Sequence, residues 1–217
     1  MNRYPGEPMY LEHEGSFGRL RRLYFRKILS RMALPRTADI LDYGCGPGDF
    51  MVECKAQGYT ALGIDSSVRS ISMARRRGLD VLEGDWEAAS LEGKSFDLIF
   101  LQSVIEHCRN PVALLRGLSH RLKESGVMIV SAPTPGPHFW DDPTHIRPYT
   151  PRSLTALAEL SELRLEWQSY VFAFLLGFRF SAPIVFKCLN LLPWSLGTNL
   201  IAAFGRQPGQ EPTPAKS

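Results

Sequence analysis

The apolar positions of this chain fall into short runs separated by turn residues, and the runs switch between two periods. From Leu11 to Arg31, Phe17, Leu20, Leu23, Tyr24, Ile28 and Leu29 recur near the spacing of a helix face. After Pro35 come brief, nearly continuous apolar runs at Ile40–Tyr43, Ala61–Ile64, Asp80–Leu82, Asp97–Gln102 and Val127–Ser131, which read as buried strands. Between them Phe50–Gln57, Val68–Arg77 and Val112–Lys123 read as helices. Asn110 and Pro111 suit a helix cap and first turn, and Gly58, Gly78 and Gly126 suit helix stops. Five strands interleaved with helices predict an α/β fold, a doubly wound and mostly parallel sheet.

The texture changes after the fifth run. Pro133 to Pro151 holds six prolines, His138 and His145, and Trp140-Asp141-Asp142. A loop of this kind after a central strand lies at the carboxyl edge of the sheet, where open α/β sheets bind ligands. Pro151-Arg152-Ser153-Leu154 opens another helix, to about Leu160, and Leu163–Phe174 and Thr198–Phe204 read as two late strands. Between Val171 and Phe204 the only charges are Arg179 and Lys187. That composition suits buried structure linking two edge strands, with an apolar surface for a lipid-like substrate, a membrane or a partner as the alternative.

The candidate chemistry begins where the first strand ends, at Asp39-Ile40-Leu41-Asp42-Tyr43-Gly44-Cys45-Gly46-Pro47-Gly48. Glycines on alternating positions between a strand and a helix let a ligand lie against bare backbone. A P-loop is excluded, because no Lys-Ser/Thr pair follows. A dinucleotide fingerprint is disfavoured, because the spacing is Gly44-x-Gly46-x-Gly48 and Asp49 stands at the helix start, where a pyrophosphate competes poorly. Downstream, Gly63-Ile64-Asp65 ends the second strand with a carboxylate able to accept both hydroxyls of a ribose. Gly84-Asp85-Trp86 follows the third, with an acceptor for an amino group and a ring to stack on. Each acid alone has a plain reading as a turn former or cap.

As a set, Leu41-Asp42-Tyr43-Gly44-Cys45-Gly46-Pro47-Gly48, Gly63-Ile64-Asp65, Gly84-Asp85 and Phe96-Asp97-Leu98-Ile99 resemble the class I S-adenosylmethionine-dependent methyltransferases, over about Ile40 to Pro133. Ile105-Glu106-His107 followed by Asn110-Pro111 is similar to the small-molecule branches of that family. The resemblance implies a seven-stranded Rossmann-like sheet whose last pair contains an antiparallel strand. It divides the chain into an N-terminal helical segment (1–35), a methyltransferase domain (36–206) with a substrate-side loop (133–151) and an apolar insertion (171–197), and a tail (207–217). It implies that Asp42, Gly44, Cys45, Gly46 and Gly48 line the methionine part of S-adenosylmethionine, Asp65 and Ser66 hold the ribose, and Asp85 with Trp86 hold the adenine. Gln102 approaches the sulfonium, and Arg21 reaches the carboxylate by folding over the site.

Removing a proton from an acceptor calls for a base, and histidine is the natural one. His145, in the proline-rich loop, and His107, after the fourth strand, are the candidates. His120, late in a surface helix, reads as structural. Phe139-Trp140-Asp141-Asp142-Pro143-Thr144-His145-Ile146-Arg147-Pro148-Tyr149 resembles a loop of glycan-pathway methyltransferases, which makes Trp140, Arg147, Tyr149 and His138 candidate substrate contacts. The plain alternative is a rigid loop pinned by prolines. Glu106-His107 is similar to the metal-ligand pair of some quinone-pathway O-methyltransferases. Those carry an acid three residues earlier, and here Ser103 stands there, so no metal is expected. The expected activity is methyl transfer to a small-molecule or glycan-type acceptor at oxygen. The alternative is a non-catalytic subunit contacting a partner or membrane through the apolar C-terminal segment.

Composition changes this picture little. The net charge of +3 over 217 residues gives no argument for nucleic acid, although Arg19, Arg21, Arg22, Arg26, Lys27 and Arg31 crowd one segment. The cysteines, Cys45, Cys54, Cys108 and Cys188, form no CxxC and suit a reduced, cytoplasmic chain. The polar N-terminus does not read as a signal peptide. No apolar run reaches the roughly 18–20 residues of a membrane span, which leaves peripheral membrane contact open.

Overall fold

A computed structural model describes residues 16–85, 91, 93–171, 175 and 199–207. In chain order the elements are α1 (Ser16–Met32), β1 (Asp39–Tyr43), α2 (Asp49–Ala56), β2 (Thr60–Asp65), α3 (Val68–Arg76), β3 (Asp80–Glu83), β4 (Phe96–Gln102), α4 (Pro111–Ser119), β5 (Leu122–Pro133), a 3-10 turn (Pro137–Asp141), α5 (Pro151–Leu160), β6 (Leu163–Tyr170) and β7 (Asn199–Arg206). The strands form one seven-stranded sheet in the order β3-β2-β1-β4-β5-β7-β6. β7 runs antiparallel between β5 and β6, and the other pairings are parallel. The doubly wound sheet and its antiparallel last pair match the expectation from sequence.

Side chains alternate between the two faces, as strand geometry demands. Ile40, Leu98, Phe100, Ile129 and Ile201 face α1 and α2, where Tyr24, Phe25, Ile28, Leu29 and Phe50 complete a buried cluster. Phe50 and Phe100 pack tilted at 4.2 Å between ring centres, with Phe25 edge-on to both. Leu41, Ile99, Leu101, Val130 and Ala202 face the other way, onto Leu114, Leu115 and Leu118 of α4 and Leu154 and Leu157 of α5. The N-terminal helix therefore belongs to the sheet's core.

Two elements differ from the sequence reading. α4 stops at Ser119 rather than running to Lys123, because Leu122 pairs with Phe96 and starts β5. Gly126 is consequently no helix stop. It lies in β5 at a register shift, where a Cβ would come 2.7 Å from the Phe96 carbonyl oxygen. β6 ends at Tyr170, before the expected Phe174. Asn110 does cap α4, accepting from the Ala113 amide at 3.1 Å, with Pro111 in the first turn.

Most of the apolar insertion lies outside the described residues. Its start is anchored, since Val171 is buried and Lys27 Nζ donates to the Leu175 carbonyl at 2.7 Å. Among the described residues no helix is long and apolar enough to cross a membrane.

Candidate functional site

β1 delivers the glycine loop to the carboxyl edge of the sheet. The amides of Gly44 and Cys45 both donate to the Ile64 carbonyl, at 2.8 and 3.0 Å, which fastens the loop to β2. Gly44 and Gly46 have left-handed φ of +71° and +53°, a region that side chains disfavour. Their surroundings differ. A Cβ on Gly44 would meet Val104 Cγ2 at 2.5 Å, and one on Gly48 would strike Leu79. A Cβ on Gly46 would meet nothing within 4 Å. Gly44 and Gly48 thus serve close packing, while Gly46 faces open space.

Asp65, at the end of β2, borders that space. Its Oδ2 accepts from the Gly46 amide and its Oδ1 from the Ser67 amide, both at 2.8 Å. A carboxylate has about four acceptor positions, so each oxygen keeps capacity for a further donor. Asp42 lies beneath the loop, 3 % exposed. Burial raises its pKa well above the carboxylate range, and the nearby charges of Asp65 and Asp49 add to the shift. Asp49, at the first turn of α2, is held by Arg21 at 2.6 Å and Arg77 at 2.7 Å, and Arg77 also donates to the Pro47 carbonyl.

Other expected contacts fall on or around this edge. Ser66 and Asp85 are exposed beyond β2 and β3, and Gln102 ends β4 half-buried. Arg21 reaches the loop's helix start, but its charge meets the Asp49 carboxylate there. The Cys45 side chain turns away into a cluster with Met51, Ile71, Ala74 and Val81, so it packs the core rather than facing the open space. Trp86 lies outside the described residues.

A second cluster stands where the β4–α4 loop meets the proline-rich loop. The chain turns at Ser103, a non-glycine residue at φ +53°, and Val104 then packs on Gly44. Besides the contact of His107 with Thr144, three bonds stitch the two loops together. The Ile146 amide donates to the Glu106 carbonyl at 2.8 Å, the Tyr149 hydroxyl to the Ile105 carbonyl at 3.1 Å, and Arg147 to the Arg109 carbonyl at 3.2 Å. The stitching brings His107 against His145, with ring centres 4.8 Å apart. His145 also stacks on Phe139 at 4.6 Å.

The bonding of each ring fixes its tautomer. His145 Nδ1 lies 2.7 Å from the Phe139 carbonyl oxygen, which can only accept, so Nδ1 carries the proton. The Thr144 hydroxyl donates to Asp142 Oδ1 at 2.6 Å and so accepts from His107 Nδ1 at 3.0 Å. Each neutral ring is left with a lone pair on Nε2. Partial burial, then the neighbouring His145, lower the His107 pKa, which keeps that ring neutral near pH 7. Glu106 is 1 % exposed, and its carboxyl has at most weak contacts to its own backbone and the Ser103 hydroxyl, short of good hydrogen-bond geometry. Burial pushes its carboxyl up to about 8, against a lowering by its own backbone and the nearby Ser103 hydroxyl. One ligating atom from each of Glu106, His107 and His145 lies within 4.8 Å of the other two.

The expected substrate contacts fare unevenly. Tyr149 is not a substrate wall, because it is 3 % exposed and spends its hydroxyl on the Ile105 carbonyl, latching the loops. Arg147 is exposed but donates back to Arg109. Trp140 stands 66 % exposed, edge-on to Phe139, and the His138 side chain lies outside the described residues. Asp142 and Thr144, which orient His107, are not among the contacts the sequence predicts. The spacing Asp142-x-Thr144-His145, a short acceptor two residues before a hydroxyl, was the available signal.

Residues 17–166 match a family model described as a methyltransferase domain. The chain is 31% identical over 127 residues to a trans-aconitate 2-methyltransferase of Azoarcus sp. (strain BH72), covering 55% of this chain and 47% of that protein. It is 31% identical over 98 residues to a ubiquinone biosynthesis O-methyltransferase of Cereibacter sphaeroides (strain ATCC 17029 / ATH 2.4.9), covering 42% of this chain and 40% of that protein. The chain thus spans less than half the length of these curated relatives. Its fold is similar to the crystal structure of a SAM-dependent methyltransferase from Archaeoglobus fulgidus, with TM-score 0.64 and 21% identity over 86% of this chain and 93% of that one.

Proposed function

The chain belongs to the methyltransferase-domain family, and from that premise we propose that it moves a methyl group from S-adenosylmethionine to an oxygen of a small-molecule or glycan-type acceptor. The observation that carries the reading is the open space at Gly46, bordered by the Asp65 carboxylate at 2.8 Å from the Gly46 amide. S-adenosylmethionine, when bound, supplies a methyl on a cationic sulfonium, an electrophile that needs alignment more than activation. The residues fit such a group. Gly46 leaves room for it against the backbone, and the free acceptor positions of Asp65 suit two ribose hydroxyls. Asp42, destabilised as an anion by burial and by Asp65 and Asp49, is stabilised by a cationic group nearby. Asp85, Ser66 and Gln102 line the same edge, with Trp86 following Asp85 in the chain.

The acceptor side in this reading is the Glu106–His107–His145 cluster. Nε2 of His145 or His107 takes the proton of an acceptor hydroxyl, since both Nδ1 atoms already donate. Relatives named for O-methylation and for trans-aconitate favour a small molecule and an oxygen.

Thermal shift tests the donor half. S-adenosylhomocysteine at about 100 times its Kd raises Tm by roughly 5–10 °C, and NAD does not. Stabilisation by NAD alone overturns the reading. For the acceptor half, His145→Ala retains S-adenosylhomocysteine affinity and loses roughly 10²–10⁴-fold in turnover. Unchanged turnover moves the role to His107 or to alignment alone.

A further inference from the structure

We propose that Arg21, Asp49 and Arg77 are positioning residues for the methyl donor, an ion triad that ties the N-terminal helix to the glycine loop and sets cofactor affinity from outside the pocket. The inference deepens the proposed function and rests on its reading of the loop as the seat of the cofactor.

The tie runs through three elements without a break. Arg21 Nη2, in the second turn of α1, meets Asp49 Oδ2 at 2.6 Å. Arg77 Nη1, just past the end of α3, holds the other oxygen, Asp49 Oδ1, at 2.7 Å. The same nitrogen donates to the Pro47 carbonyl at 3.0 Å. One guanidinium therefore grips the residues on both sides of Gly48. Gly48 sits at φ +85° with its amide on the Cys45 carbonyl at 2.9 Å, and Leu79 fills the space where its side chain would stand. The loop is fixed at its start by the Ile64 carbonyl, which accepts from the Gly44 and Cys45 amides, and at its end by Arg77. Gly46, which faces the open space, lies between the two fixed ends. Such a loop is shaped before the ligand arrives, and preorganisation of this kind lowers the cost of binding.

Arg21 acts through Asp49 and not by touching the cofactor. An acid in the first turn of a helix is already favoured by the helix dipole and needs no arginine. Here it carries two, from helices before and after it in the chain, and each takes a different oxygen. The sequence places Arg21 on the cofactor carboxylate, whereas its guanidinium is spent on Asp49. The fold of α1 does not depend on the pair, because Tyr24, Phe25, Ile28 and Leu29 bury the helix against the sheet. The side chains of Arg21, Asp49 and Arg77 are 28%, 23% and 41% exposed, so water and salt screen the triad. The coupling cannot exceed what such a pair is worth, which limits the loss on removing Arg21 to roughly 2- to 5-fold in affinity.

The test is a double-mutant cycle on the full chain, read by two measurements. Amide hydrogen exchange of the ligand-free protein reports how often the loop opens, and calorimetric titration with S-adenosylhomocysteine reports affinity. Arg21→Gln raises the exchange rates of the Gly46 and Gly48 amides and raises Kd, each by roughly 2- to 5-fold, with an unchanged Tm. Both effects vanish when the same change is made in Asp49→Asn. Arg77→Gln also loses the Pro47 bond and raises Kd by roughly 10-fold. An Arg21→Gln effect on Kd of equal size in both backgrounds means direct contact with the ligand and overturns the proposal. Unchanged exchange at Gly46 and Gly48 in Arg21→Gln overturns it too, even where the parent binds S-adenosylhomocysteine and the methyl-donor reading stands. If the parent does not bind S-adenosylhomocysteine while the exchange cycle holds, the methyl-donor reading falls and the tie between α1 and the loop stands.

Discussion

Gly46→Ala separates the space a ligand needs from the space the fold needs. The added methyl meets nothing within 4 Å, so it causes no internal clash. Alanine keeps its amide, so the 2.8 Å bond to Asp65 survives. What remains is the φ of +53°, a left-handed conformation that costs an L-residue roughly 1–2 kcal/mol. Against a typical stability of roughly 5–15 kcal/mol the variant folds, and its Tm falls by about 2–8 °C. The methyl does occupy the space where the cofactor is expected to lie. A misfit of this kind costs roughly 1–3 kcal/mol, or about 5- to 150-fold in affinity. Gly44→Ala reverses the pattern. There the Cβ meets Val104 at 2.5 Å at a φ of +71°, and strain and overpacking together remove roughly 2–5 kcal/mol. Urea unfolding gives the stability of each variant and calorimetric titration with S-adenosylhomocysteine gives the affinity. A Gly46→Ala protein that is folded and binds with the parent's Kd refutes the placement of the ligand against residue 46.

Tyr149→Phe deletes the hydroxyl that latches the two loops and leaves the buried Ile105 carbonyl with only the Cys108 amide, at 3.3 Å. Stability falls by roughly 1–2 kcal/mol in urea with S-adenosylhomocysteine affinity unchanged, and an unchanged stability contradicts the latch. At the opposite end of the sheet, burial acts to raise the Asp97 pKa, but bonds from Lys123 and the Asp39 amide outweigh it and leave the pKa lowered. Because the folded pKa lies below the unfolded one, the stabilisation is complete above about pH 4 and is lost as pH falls through the folded value. Asp97→Asn therefore flattens the stability–pH curve on the acid side only, and an equal loss at pH 7 and pH 2 argues against the linkage.

How much of this was legible in sequence follows from how local each signal is. The glycine loop and Asp65 were readable because a strand-ending acid and alternating glycines are short-range patterns, and their partners sit on adjacent parallel strands. The end of α4 was not, because Leu118 and Leu122 share helical spacing and only the pairing of Leu122 with Phe96 decides between helix and strand. Tyr149 read as a polar aromatic in an exposed loop, yet its tertiary environment buries it. The motif position of Cys45 points to the ligand side, yet the loop, held by the Ile64 carbonyl, turns its side chain into the core. The sequence singles out His107 and His145, but their union with Glu106 depends on bonds between loops far apart in the chain.

Those three bonds have an engineering consequence. They fasten the proline-rich loop at Ile146, Arg147 and Tyr149, beyond His145, and leave Pro135 and Trp140 open to solvent. Those two positions can be exchanged to graft new acceptor preferences without disturbing the geometry of the imidazole pair.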